Sequence, residues 1–121
     1  MKLLIVCLLF QNPEVVQCVL ESDIPCKQLF LKQSYWESNY HRFPIAIKKN
    51  NYSGFRKKIN GKYQMITFKS IEEYVNYSSE FFKRKRITNC KEYEKYILKG
   101  KYSRTNNHKK YLKKIKSING K

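Results

Sequence analysis

The pair Asn60-Gly61 restricts the fold of this chain more than any other feature. Both residues tolerate positive φ, and a two-residue type I′ turn requires it at both central positions. The flanking residues, Phe55 to Phe68, therefore read as a β-hairpin. Tyr63, Met65 and Phe68 lie on its second strand with the β-branched Ile66 and Thr67. Helices are expected on both sides. Asn12-Pro13-Glu14 opens the first: Asn caps free N–H groups, Pro fits the first helical position, and Glu favours the positive dipole end. Val15, Val16, Cys18, Val19 and Leu20 make this helix apolar on nearly all sides, as in a core. It should run to about Ser22, with Pro25 preventing continuation past Ile24.

Cys26 to Tyr35 reads as a second short helix with Leu29 and Phe30 inward. An irregular aromatic stretch follows (Tyr35, Trp36, Tyr40, His41, Phe43, Pro44), and then Ile45 to Lys48 as a short strand. Ser70-Ile71-Glu72-Glu73 is a capping box, with Ser at the cap and Glu at the third position beyond it. It opens a helix with Ile71, Tyr74, Val75, Ser78, Phe81 and Phe82 on one side, closed by the cations Lys83 to Arg86. Asn89 caps a shorter helix with Tyr93, Tyr96 and Ile97 inward, ended by Gly100. Tyr111, Leu112, Ile115 and Ile118 form one face of a last helix whose other face is mostly Lys. Helices, one hairpin, then helices define an α+β class that is mainly helical.

A chain of 121 residues is one domain by length. Its 41% hydrophobic and 15% aromatic content excludes extended disorder. The formal net charge is +17, which draws polyanions: nucleic acid, anionic lipid surfaces or anionic cell-wall polymers. A Lys- and Asn-rich genome would contribute to the same excess. The acids are unevenly placed, with no Asp or Glu between Glu37 and Glu72. Cys7, Cys18, Cys26 and Cys90 form no C-x-x-C pair, and His41 and His108 are the only histidines, which argues against a structural zinc site. Cys18 and Cys26 can pair in an exported protein, but buried free thiols are the favoured expectation. Met1 to Phe10 reads either as a short signal peptide or as a first buried segment; it is too short to span a bilayer and no small-x-small cleavage site follows.

Glu21 is the first candidate for chemistry. Glycoside hydrolysis needs a carboxylic acid to protonate the leaving oxygen, usually in apolar surroundings. A Glu at the end of a buried helix would meet that need through desolvation and an unfavourable dipole. No Gly-rich phosphate loop, catalytic Ser or Cys arrangement, or H-E-x-x-H motif is present.

The run Pro13 to Ser22 resembles the "A-Q-A-x-L-E-[ST]-G" helix of the bacterial glucosaminidase domain, glycoside hydrolase family 73. The similarity continues in order. Asn39 to Ile45 resembles "N-N-x-F-G-I", Phe68 to Tyr74 resembles "F-x-S-x-x-E-S", and Lys101-Tyr102-Ser103 through Ile115 resembles "G-Y-A-x-D-x-x-Y-x-x-K-I". The resemblance covers residues 12 to 118. It implies a lysozyme-like fold with a small β-hairpin lobe, in a single domain over 12–121 with 1–11 as leader or first segment. It implies an endo-β-N-acetylglucosaminidase of peptidoglycan glycan strands, acting as a monomer with no metal and no cofactor. Glu21 would be the general acid and Tyr102 would line the catalytic cleft. Trp36, Tyr40, His41 and Phe43 would bind sugar. Asp23 and Pro44 stand where the family has Gly, and Tyr40 and His41 depart from its paired Asn. The family's second carboxylate lies on the hairpin lobe, and this hairpin has none, so either the substrate's acetamido group assists, or a Tyr stabilises the developing cation, or the chain is an inactive relative; Asp23 or Glu37 would stand in only with a different cleft geometry. Placement would be extracytoplasmic with a signal peptide, and otherwise cytoplasmic, as for a phage lysin.

The alternative is a non-catalytic basic protein that binds nucleic acid or a cell-wall polymer through Lys83 to Arg86 and Lys109 to Lys116. Interleaved cations and aromatics can hold phosphates and stack bases.

Overall fold

The computed structural model describes residues 12–100 and 107–118. They form α1 (Pro13–Leu20), α2 (Lys27–Glu37), α3 (Pro44–Lys49), β1 (Arg56–Ile59), β2 (Lys62–Met65), α4 (Ile71–Arg84), α5 (Cys90–Leu98) and α6 (His108–Ser117). The class is α+β and mainly helical, with one two-stranded antiparallel sheet among the described residues. The Met1 to Phe10 segment lies outside them.

Capping chemistry starts the helices where the residues require it. The Asn12 side chain accepts from Glu14 N and Val15 N, with Pro13 at the first helical position. Ser70 accepts from Glu73 N, Asn89 from Glu92 N and Asn107 from Lys110 N. Each satisfies an N–H that the helix leaves unpaired. α1 stops at Leu20, before the expected Ser22. The Lys27 ammonium donates to the Leu20 carbonyl there, and the Ser22 hydroxyl donates to Val19 O.

Ile45 to Lys48 is not a strand but the middle of helix α3. Ile45 and Ile47 alternate as in a strand, but Pro44 presets the first helical φ, and Asn50 ends the helix in the left-handed region at φ 47°. The hairpin forms at the expected turn, with Asn60 at φ 51° and Gly61 at φ 80°, and with Ile59 opposite Lys62 and Arg56 opposite Met65, but β2 ends at Met65, so Ile66, Thr67 and Phe68 lie beyond the strand rather than on it. Gly100 follows α5 at φ 78°, and a Cβ there would lie 2.5 Å from His108 Nε2.

The core lies where α1 packs on α4, with α2 against α1 and α6, and α5 against α6. Val15, Val16 and Val19 are fully buried on α1. Tyr74 is also fully buried, ringed by Phe30, Tyr52, Phe55 and Phe68, and its hydroxyl bonds Ser53 Oγ at 2.7 Å. Phe81 and Tyr96, expected inward, are only half-buried at the rim.

The cysteines depart from expectation. Cys26 and Cys90 form a disulfide across a sequence separation of 64, and Cys18 alone is free among the described residues. The bridge joins the start of α2 to the start of α5.

The base of the hairpin is held by Asn51, which is fully buried. Its amide donates to Phe55 O at 3.0 Å and Ile66 O at 2.8 Å, and its carbonyl accepts from Phe55 N at 3.1 Å. Asn51→Ala is expected to cost about 2 kcal/mol, because buried backbone groups lose their partners. The loss should appear as a lower urea midpoint, with hairpin amides exchanging faster than those of α4.

Candidate functional site

Glu21 occupies the cap position after α1, at the end of a helix whose inner face is completely buried. Its side chain is exposed. The desolvation expected for a proton donor is therefore absent in the free protein. No hydrogen bond or ion pair holds its carboxylate among the described residues. Its electrostatic neighbour is the Cys18 thiol, whose pKa is raised first by burial and then by the charges of Glu72, Glu21 and Glu14. A second carboxylate thus comes near α1 from the start of α4, not from the hairpin.

The expected stand-ins are placed otherwise. Asp23 pairs with Lys83 at 3.0 Å, and that partner holds its carboxyl below the usual range. Glu37, exposed as a residue, turns Oε1 inward to accept from the Tyr111 hydroxyl at 2.5 Å. Desolvation raises its pKa, and the Tyr111 bond works against that rise.

The aromatic loop splits into surface and core. Trp36 is 45% exposed and Phe43 is 47% exposed, so both can face a ligand. The Lys114 ammonium sits 5.7 Å from the Trp36 ring centre, which uses one face of that ring. Tyr40 is half-buried edge-on to Tyr35, with the Arg42 guanidinium over its ring.

His41, expected at a sugar site, is a core residue at 3% exposure. Its ring packs between Tyr35 at 4.6 Å and Tyr52 at 5.0 Å. Nε2 lies 2.9 Å from Ser34 Oγ. The Ser34 hydroxyl already donates its one proton to Leu31 O, so His41 Nε2–H must be the donor. Nδ1 is then a bare, buried acceptor without a partner. Burial pushes the His41 pKa down to about 4, and the ring is neutral at pH 7.

Tyr102 lies outside the described residues. Trp36, Tyr40 and His41 share the C-terminal end of α2, whereas no hydrogen bond, ion pair or ring contact links Glu21 to them among the described residues. No group of His, Cys, Asp and Glu that could hold a metal occurs there either. No described helix is long and apolar enough to cross a membrane.

One buried polar cluster lies outside every motif of the sequence. The Tyr93 hydroxyl donates to Gln33 Oε1 at 2.5 Å, the Gln33 amide donates to Tyr111 at 3.3 Å, and Tyr111 donates to Glu37. This chain ties α2 to α5 and α6 through buried polar groups. Burial, then the Glu37 charge, raise the Tyr111 pKa, so the phenol stays a donor. Gln33 and Glu37 are four residues apart on one helix face, and that spacing was the available signal.

No protein-family model, curated protein or solved structure matches this chain.

Proposed function

We propose that this chain is a lysozyme-like peptidoglycan hydrolase, an endo-β-N-acetylglucosaminidase in which Glu21 protonates the glycosidic oxygen. The observation that carries the reading is the setting of Glu21. It is an exposed carboxyl at the end of a buried helix whose two ends are held by the Asn12 cap and by Lys27 at the Leu20 carbonyl. A bound glycan would supply the desolvation that the free carboxyl lacks. The hairpin has no acid, so the substrate's acetamido oxygen takes the place of an enzymic nucleophile. Exposed Trp36 and Phe43 are suited to stack on sugar rings, Tyr102 is carried over from the resemblance, and His41 positions the loop from inside. The Cys26–Cys90 bridge favours an oxidising, extracytoplasmic setting.

The test is muropeptide release from purified cell walls. Glu21→Gln should lower the rate by roughly 10²- to 10⁴-fold, the usual contribution of general acid catalysis. Equal rates for wild type and variant, with both folded, would remove Glu21 from the chemistry.

A second reading, a non-catalytic basic protein binding nucleic acid or wall polymer, draws on the exposed, unpaired Glu21 carboxylate. Its proposed contact residues are Lys83 to Arg86 and Lys109 to Lys116.

A further inference from the structure

Strands β1 and β2 have no core behind them. Every residue of β1 and all but Met65 of β2 are exposed. A two-stranded ribbon with both faces in water is marginal alone, and here it is fixed only at its base, through Asn51 and the Ile66–Phe55 backbone bond. The register sorts its side chains. Arg56, Lys58, Tyr63 and Met65 share one face, and Lys57, Ile59, Lys62 and Gln64 share the other. Each cation faces a neutral residue across the ladder, so the charges do not repel directly. Alternate residues of one strand lie about 7 Å apart, a spacing comparable to successive phosphates in an extended single strand.

The other basic runs are engaged in part. Lys83 is bound to Asp23 and Glu80, Arg84 lies over Tyr77 and Lys85 over Phe81. On α6, Lys114 lies over Trp36 and Lys116 binds Glu94. The hairpin cations make no ion pair among the described residues, and no acid lies between Glu37 and Glu72 to offer one. Lys58 rests 6.0 Å from the centre of the Tyr63 ring. Charges alone would serve to keep an edge strand from aggregating. A tyrosine at 70% exposure among them serves no such purpose.

We propose that the β1–β2 hairpin is a binding arm for single-stranded nucleic acid. Arg56 and Lys58 contact phosphates, and Tyr63, on the same face, stacks a base. An anionic polymer without bases would use the cations but not the ring. The site is independent of whether Glu21 turns over glycan.

The test uses fluorescence anisotropy with a labelled oligothymidylate, and inorganic polyphosphate as the base-free competitor. Tyr63→Ala is expected to weaken oligothymidylate binding roughly tenfold, with affinity for polyphosphate unchanged, and Tyr63→Phe should restore binding. Replacing Arg56 and Lys58 with Gln should lower the salt slope of log K by about 1.4, given a slope near 0.7 per phosphate contact. Lys57 and Lys62 are exposed on the opposite face of the same hairpin, and their joint replacement with Gln removes the same charge. An equal loss in that control, or no effect of Tyr63→Ala in a folded protein, overturns the proposal. Muropeptide release by the hairpin variants, unchanged, separates failure of this site from failure of Glu21.

Discussion

Removing the Cys26–Cys90 bridge is expected to lower the unfolding free energy by about 4 kcal/mol, the chain-entropy value for a closed loop of this length. The span of 64 residues includes α2, α3, the hairpin and α4, so half of the fold is tethered by one bond. A domain of this size has about 5–15 kcal/mol in total, so the Cys26→Ser, Cys90→Ser variant should sit close to its unfolding midpoint under mild conditions. Urea titrations of wild type, wild type with reductant, and the double variant measure it. The reduced protein and the double variant should coincide, well below the oxidised protein. Cys18→Ser is the internal control. That thiol is half-buried and its pKa is raised, so little thiolate is present to attack the bridge. An oxidised protein no more stable than the double variant would show that the bridge does not hold the fold.

Acid should destabilise the protein through His41. The ordinary His value of 6.5 falls to about 4 in the folded chain, because protonation at Nδ1 would place a charged, unpartnered N–H in the core. Between those values the unfolded chain binds the proton and the folded chain does not. Stability is therefore complete above pH 6.5 and falls as the pH drops toward 4. The difference, at 1.36 kcal/mol for each tenfold in proton affinity, is at most about 3 kcal/mol. Glu37 acts in the opposite sense. Its raised pKa means that it gains a proton earlier in the folded state, and that gain offsets part of the loss just above pH 4.5. His41→Phe keeps a ring between Tyr35 and Tyr52 and removes the titrating group. It should flatten the pH dependence of the urea midpoint over this window, while His41→Ala should destabilise at every pH. A His41→Phe profile as steep as wild type would assign the acid sensitivity elsewhere.

Local chemistry made most of the fold legible. Asn12-Pro13, Ser70 with Glu73, Asn60-Gly61 and Gly100 each mark a boundary through groups only a few residues apart, and each marks it correctly. Helix α3 reads as a strand in the sequence because Ile45 and Ile47 alternate while only Ala46 is buried. The bridge was hidden because pairing over 64 residues depends on how α2 meets α5. The candidate site was less legible than the fold. Glu21 was placed at the correct helix end, but its exposure depends on what other elements leave uncovered. His41 reads as a sugar-site residue through the family resemblance; its burial follows from a turn that points it inward.

That turn has a consequence in stereochemical terms. Asn39, Tyr40 and His41 lie consecutively at φ 50°, 61° and 63°, with no glycine among them. Each L-residue in that region costs roughly 1 to 2 kcal/mol. The segment is a short stretch of mirror-image backbone, held by the bonds Tyr40 N–Tyr35 O and Phe43 N–Ser38 O and by the buried imidazole. The chain reverses its own handedness for three residues in order to aim one ring at the core. At those positions the inverted D-configuration matches the backbone better than the residues that occupy them.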